Sequence, residues 1–217
     1  MKTRKLLFYL LAVLMGGCVP VFSLHPLYTK ETVILKQELL GTWVHVNDPN
    51  MTWDFKRAEE PNAYKLIYTG EPGKRGSFIT HLVKLKDQLF LDVYPDAMPC
   101  DIEDPNKLDW QYNSFFIVPV HTFLKVDSIE PVLKMRLTDD ELMKKLLERD
   151  PNAIKHTLLD EVRYVLTGST KELQDLVTKY GDGDRLFRTE DPIILNRAKA
   201  KGPQKSEDKK SGDQTNK

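Results

Sequence analysis

From Gly41 to Leu137 the chain runs in short segments where apolar and polar residues alternate, each closed by residues that favour turns. Met51-Thr52-Trp53-Asp54-Phe55 shows the pattern plainly, and a period of two is that of a half-buried strand. Before it, Thr42-Trp43-Val44-His45-Val46 ends in Asn47-Asp48-Pro49-Asn50. Tyr64 to Tyr68 is closed by Gly70-Glu71-Pro72-Gly73, and Phe78 to Leu85 turns at Lys86-Asp87 into Leu89 to Tyr94. After a polar loop from Pro95 to Leu108, further strands are expected over 114–120, 121–126 and 132–137. Short strands joined by turns at roughly ten-residue spacing favour a sandwich or barrel. A barrel is the expectation, because closure removes exposed strand edges.

Two helices follow the strands. Thr138-Asp139-Asp140-Glu141 reads as a capping box, with the Thr138 hydroxyl on the third amide and Glu141 reaching back. Leu142, Met143, Leu146 and Leu147 then share a face until Asp150-Pro151 stops the run. Val162 to Leu166 is expected as the last strand. Ser169-Thr170-Lys171-Glu172 is a second capping box ahead of Leu173, Leu176, Val177 and Tyr180, and Gly181 ends that helix. The fold class expected is therefore mainly β (α+β), an antiparallel barrel of about eight strands with two late helices, near 139–149 and 170–180.

The N-terminus carries a different signal. Lys2, Arg4 and Lys5 precede an unbroken apolar run from Leu6 to Met15, then Gly16, Gly17 and Cys18. A basic start, an apolar core and a small-residue site define a secretory signal, and the run falls short of the roughly 20 residues that span a bilayer. Leu14-Met15-Gly16-Gly17-Cys18 resembles the lipobox of bacterial lipoproteins, although Met15 holds the place usually taken by Leu. That resemblance implies a signal peptide over 1–17, a diacylglyceryl group on Cys18 as the mature N-terminus, and a tether over 18–40. Val21-Phe22-Ser23 offers the spacing of an ordinary signal peptidase site as the rival. Val19 after the cysteine, in place of Asp, resembles outer-membrane sorting in diderm bacteria. With Cys18 acylated, Cys100 is the one remaining thiol and no intrachain disulfide is expected.

The formal net charge of zero conceals an asymmetry. The first five residues carry +3 and residues 197–217 carry +4, which leaves −7 between residues 6 and 196. An acidic body argues against nucleic-acid binding, which needs a basic footprint. The stretch 191–217 reads as a disordered basic tail, so the folded domain is expected over 41–190.

Leu39-Leu40-Gly41-Thr42-Trp43 resembles the lipocalin and wider calycin families, whose first strand opens with Gly-x-Trp. The resemblance implies an eight-stranded up-and-down barrel in which Trp43 packs at the closed end beneath an arginine from the end of the last strand. Arg163 is the expected arginine, so Gly41, Trp43 and Arg163 form the structural signature. The segments Ser23 to Tyr28, Gly41 to Trp43, His81 to Leu85, Phe90 to Pro95, Pro119 to Phe123 and Leu166 to Gln174 also resemble a group of uncharacterised bacterial lipoproteins. That likeness supports export and one domain, and implies no activity.

Chemistry is harder to find. His25, His45, His81, His121 and His156 never fall at ligand spacing, so no zinc site is expected. Gly-x-Ser-x-Gly is missing, Gly70 to Gly76 lacks the pattern of a phosphate loop, and Asp182-Gly183-Asp184 lacks the closing Glu of a calcium loop. Neither a catalytic residue nor a cofactor is expected. Strand aromatics offer the one positive clue, since they can fill a barrel or line a cavity for a small ligand. Trp53, Tyr64, Tyr68 and Phe90 are the expected ligand contacts. The expectation is a membrane-anchored, non-enzymatic carrier of a small apolar ligand. An envelope structural or assembly factor without ligand is the alternative, followed by a hydrolase using His81 or His121.

Overall fold

The computed structural model describes residues 20–70, 74–96, 118–159, 163–183 and 185–199. Cys18, Cys100, the segment expected as a signal, all of 97–117 (and with it most of the strand expected over 114–120) and the stretch from 200 onward lie outside the described residues.

Eight antiparallel strands close a barrel: β3 (Gly41–His45), β4 (Thr52–Arg57), β5 (Ala63–Thr69), β6 (Arg75–Leu85), β7 (Gln88–Pro95), β8 (His121–Ser128), β9 (Val132–Leu137) and β12 (Ile193–Arg197). Their order around the wall is β8-β7-β6-β5-β4-β3-β12-β9, and β9 returns to β8. The barrel is lipocalin-like, as Gly-x-Trp implied. Between β9 and β12 the chain leaves to form α1 (Asp140–Arg149), the pair β10 (His156–Leu159) and β11 (Arg163–Leu166), and α2 (Thr170–Tyr180).

Alternation along the strands sorts the side chains into two cores. Leu82, Leu91 and Leu124 lie opposite one another on β6, β7 and β8 and point inward with Trp43, Phe55, Tyr64, Leu66, Leu133, Met135 and Leu195. One residue along, Val83 and Phe90 face out, where they pack with Met143, Leu146 and Leu147 of α1 and Leu173, Leu176 and Val177 of α2. Side chains on successive strand residues point to opposite faces, so a wall buried on both sides carries two cores.

The stretch expected as a tether is part of this construction. β1 (Phe22–Ser23) pairs with the edge of β8 beyond the reach of β9, and with β11 in parallel. β2 (Val33–Ile34) pairs with β6 at Leu82 and Val83, just past the point where β5 starts opposite His81. Each two-residue strand satisfies backbone groups that a short neighbour leaves open, and buried backbone groups demand such partners. The barrel also extends past the expected boundary at 190. β12 seals it between β3 and β9, and the Ala198 amide still bonds to the Thr42 carbonyl at 2.8 Å.

Helix α2 starts as expected. The Ser169 hydroxyl meets the Glu172 amide while Glu172 accepts from the Ser169 amide at 2.7 Å, which holds the Glu172 carboxyl down at about 2. Helix α1 does not. Asp139 is its cap, accepting from the Leu142 amide at 3.0 Å, and the Thr138 hydroxyl instead accepts from the Val21 amide at 3.1 Å. A tertiary contact with the N-terminal segment took the residue that local sequence assigned to capping.

Candidate functional site

The two ends of the barrel are built differently. At one end a 3-10 turn (Gln37–Leu39) runs under the first barrel strand, and Trp43 donates its indole N–H to the Leu39 carbonyl at 2.9 Å. The Arg197 guanidinium lies 4.4 Å above the Trp43 ring. It donates to the carbonyls of Leu40 (2.9 Å) and Glu38 (2.6 Å) and to the Glu130 carboxylate (2.9 Å). Gly41 has a φ of 112°, and a Cβ there would stand 3.1 Å from Arg197 Nη1, so glycine suits both the backbone and the stacked guanidinium. The arginine implied by the resemblance is thus Arg197, not Arg163. Arg163 is exposed on β11, outside the barrel wall, because β12 is the last barrel strand.

Tyr64, expected as a ligand contact, belongs to this closed end. Its ring meets Phe55 edge-on at 6.3 Å, and its hydroxyl accepts from the Lys36 amide (2.7 Å) and donates to the Lys36 carbonyl (3.1 Å). Burial raises the Tyr64 phenol above its usual range. Phe90 is not inside the barrel at all. It lies on the outer wall against Phe187, centroids 5.7 Å apart, because its neighbour Leu91 takes the inward place.

The other end, called the mouth below, carries the β3–β4, β5–β6 and β7–β8 connections, of which 71–73 and 97–117 lie outside the described residues. Trp53 and Tyr68 are directly opposed on β4 and β5, their rings edge to face at 5.5 Å. Phe78, Leu137 and Ile193 sit half-buried on the same inner core. Tyr68 pairs with Gly76, where a Cβ would come within 2.6 Å of the Phe78 ring, so the missing side chain is the room that ring occupies. A recess of about 320 Å³ opens beside Tyr68, Gly70, Lys74, Arg75 and Gly76. Trp53 holds an unusual group: its indole N–H is buried and meets no hydrogen-bond partner among the described residues, a state shared elsewhere by the Gln88 side-chain oxygen. Below this level the barrel is filled by its own side chains, with Trp43, Phe55, Leu66, Leu82, Leu91 and Leu133 all fully buried.

The structure brings Trp53 and Tyr68 together, and sends Tyr64 to the plug and Phe90 to the outer wall. Phe78, Gly76 and Arg197 were missed. Gly76-Ser77-Phe78 offered the alternation that marks Phe78 as inward, whereas the closing strand opens on the unbroken apolar run Ile193-Ile194-Leu195 and offered none.

The suspected histidines lie elsewhere. His81 and His121 are 3% and 8% exposed, on the outer wall beneath residues 25–28. His121 Nδ1 meets Asp92 at 2.7 Å, and the other Asp92 oxygen accepts from the Leu27 amide at 2.6 Å. Tyr28 stacks on His81 at 3.8 Å, and His81 Nε2 stands 3.4 Å from Glu60. Desolvation lowers the His81 pKa, against the pull of Glu60 and Asp92, and raises that of Tyr28. Ser23 lies opposite His121 in the β1–β8 ladder, so serine, histidine and aspartate follow one another in space. Yet Ser23 is fully buried, donates to the His25 carbonyl (2.8 Å) and accepts from the His25 amide (3.2 Å). These groups clamp the N-terminal segment to the wall. Among the described residues no cluster of three or more His, Cys, Asp or Glu is placed to hold a metal.

A β-rich chain closed into an eight-stranded lipocalin-like barrel, plugged at one end by the Gln37–Leu39 turn, is the class these observations define. Comparison with protein-family models, with curated proteins and with solved structures finds no match.

Proposed function

We propose that this is a lipoprotein, held in the cell envelope by acyl chains on Cys18, whose barrel binds a small, largely apolar molecule at its mouth. The observation that carries the reading is the unpartnered Trp53 N–H among half-buried aromatic side chains. A buried donor without an acceptor costs about 1–3 kcal/mol, and a ligand bearing one acceptor on an apolar body would recover it. The depth of the filled core limits the ligand to the upper part of the barrel. Val19 after Cys18 favours the outer membrane if the host is diderm.

Protein extracted from its own envelope in a mild detergent should carry a reproducible extra mass in native mass spectrometry. Trp53→Ala should lose that mass and remain folded. Wild-type protein that never carries one overturns the reading. In that event the filled barrel favours the second reading, an envelope structural or assembly factor with no ligand.

A further inference from the structure

Helix α1 buries one face and offers another. Met143, Leu146 and Leu147 pack on the outer wall. Beside them Leu142, Lys145, Leu146 and Arg149 fall at the three- and four-residue spacing of a second stripe, half apolar and half cationic. That stripe forms one side of a recess of about 270 Å³, completed by Asp150, by Tyr180 at the end of α2 and by Arg185. Leu142, Leu146 and the Tyr180 ring make its apolar lining, and the exposed side chains of Lys145, Arg149 and Arg185 bring three positive charges to it.

The acid in the lining is already engaged. Asp150 accepts from the Tyr180 hydroxyl at 2.8 Å and stands 3.5 Å from the Lys179 ammonium, and the bond from Tyr180 holds its carboxyl below the usual range. The cations are not engaged in the same way. Lys145 and Arg149 meet no acid among the described residues. Arg185 donates through Nε to the Asp182 carbonyl at 3.2 Å, its guanidinium 5.7 Å from the Tyr180 ring, and its two terminal nitrogens meet no partner among the described residues. Cations one helical turn apart repel each other, and an anion between Lys145 and Arg149 would relieve that repulsion.

Small-molecule sites are concave and mostly apolar, with a few convergent polar groups, and this recess has that composition. Three cations against one acid suit a single negative charge better than a double one. Carboxylate is the monoanion that an arginine fork holds through two parallel hydrogen bonds. We propose that the recess between α1 and the end of α2 binds a small amphipathic carboxylate, with Lys145 and Arg149 on the carboxylate and an alkyl body against Leu142, Leu146 and Tyr180. Its volume lies just under the roughly 300–1,000 Å³ of common ligand sites, so a medium-length chain is the appropriate size. The site lies outside the barrel and is independent of the mouth.

The test is photolabelling of the full chain in lipid nanodiscs with a diazirine-bearing octanoate, mapped by mass spectrometry. Labelling should concentrate on 142–150 and 176–185, and unlabelled octanoate should compete while octan-1-ol does not. Lys145→Gln combined with Arg149→Gln should lower labelling there several-fold with an unchanged circular dichroism spectrum, since both positions are exposed. Leu142→Phe, which fills the recess and keeps its charges, should lower it as well. Trp53→Ala should leave it unaltered, which separates this site from the mouth. Label spread evenly over the surface, equal competition by the alcohol, or full labelling of the doubly neutralised chain overturns the proposal.

Discussion

At the closed end of the barrel, Trp43, Tyr64 and Arg197 each meet a backbone partner within 3.1 Å; at the mouth, Trp53 buries an N–H that meets none among the described residues. The two indoles belong to residues directly opposed on neighbouring strands, so the same wall carries one satisfied and one unsatisfied group. The plug is built for stability, since its polar atoms close on backbone left open by the turn at Gln37–Leu39. The mouth gives some of that up. A ligand that supplied the missing acceptor would recover that cost, which is the ground of the proposed site at the mouth.

Truncating the plug should cost most. Trp43→Ala removes a fully buried indole and the platform beneath Arg197, and should lower unfolding free energy by about 3–5 kcal/mol in urea titrations. If Trp53→Ala costs as much, the contrast between the ends collapses. Arg197→Lys keeps the charge and loses the planar fork that spans Leu40, Glu38 and Glu130, at about 1–2 kcal/mol by the same measurement.

The outer wall gives a control that depends on pH. The His81 pKa is lowered in the fold from 6.5 by burial. Above 6.5 the ring is neutral in folded and unfolded chains alike, and it contributes no slope. As pH falls below 6.5 the unfolded chain binds the proton first, so stability declines until the folded pKa is passed, by at most about 1.4 kcal/mol per pH unit. His81→Phe should flatten that part of the curve, followed by thermal unfolding between pH 7 and 5. An unchanged slope would assign it to other groups. Smallest of all, Trp53→Phe should leave stability nearly unaltered, because removing an unpartnered donor sacrifices no hydrogen bond. A loss above about 1 kcal/mol would mean that the N–H is bonded after all.

Much of the barrel was legible because its strands alternate: Met51 to Phe55 and Val132 to Leu137 place their inward residues by period alone. Phe90 was misplaced because Leu89-Phe90-Leu91 does not alternate; a continuous apolar run is what a wall buried on both faces looks like, and one of its neighbours had to face out. β1 and β2 are two residues long and carry no period; their existence is dictated by gaps that other strands leave. β12 was hidden by Pro192 before it and lysines after it, and Arg197 was lost with it. Thr138 and Asp139 can both cap a helix, and only the contact with Val21 decides between them. Trp53 and Tyr68 could be read as inward aromatics, whereas an indole N–H without a partner is a property of the packed fold.

The central claim is most directly tested by the indole N–H signals of the three tryptophans in 1H–15N spectra, assigned with Trp43→Phe and Trp53→Phe. On addition of a lipid extract from the host envelope, the Trp53 signal should move downfield as its donor gains an acceptor, while Trp43, already bonded to Leu39, stays in place. A Trp53 signal that does not move with the extract, or a Trp43 signal that moves with it, would contradict a ligand site at the mouth.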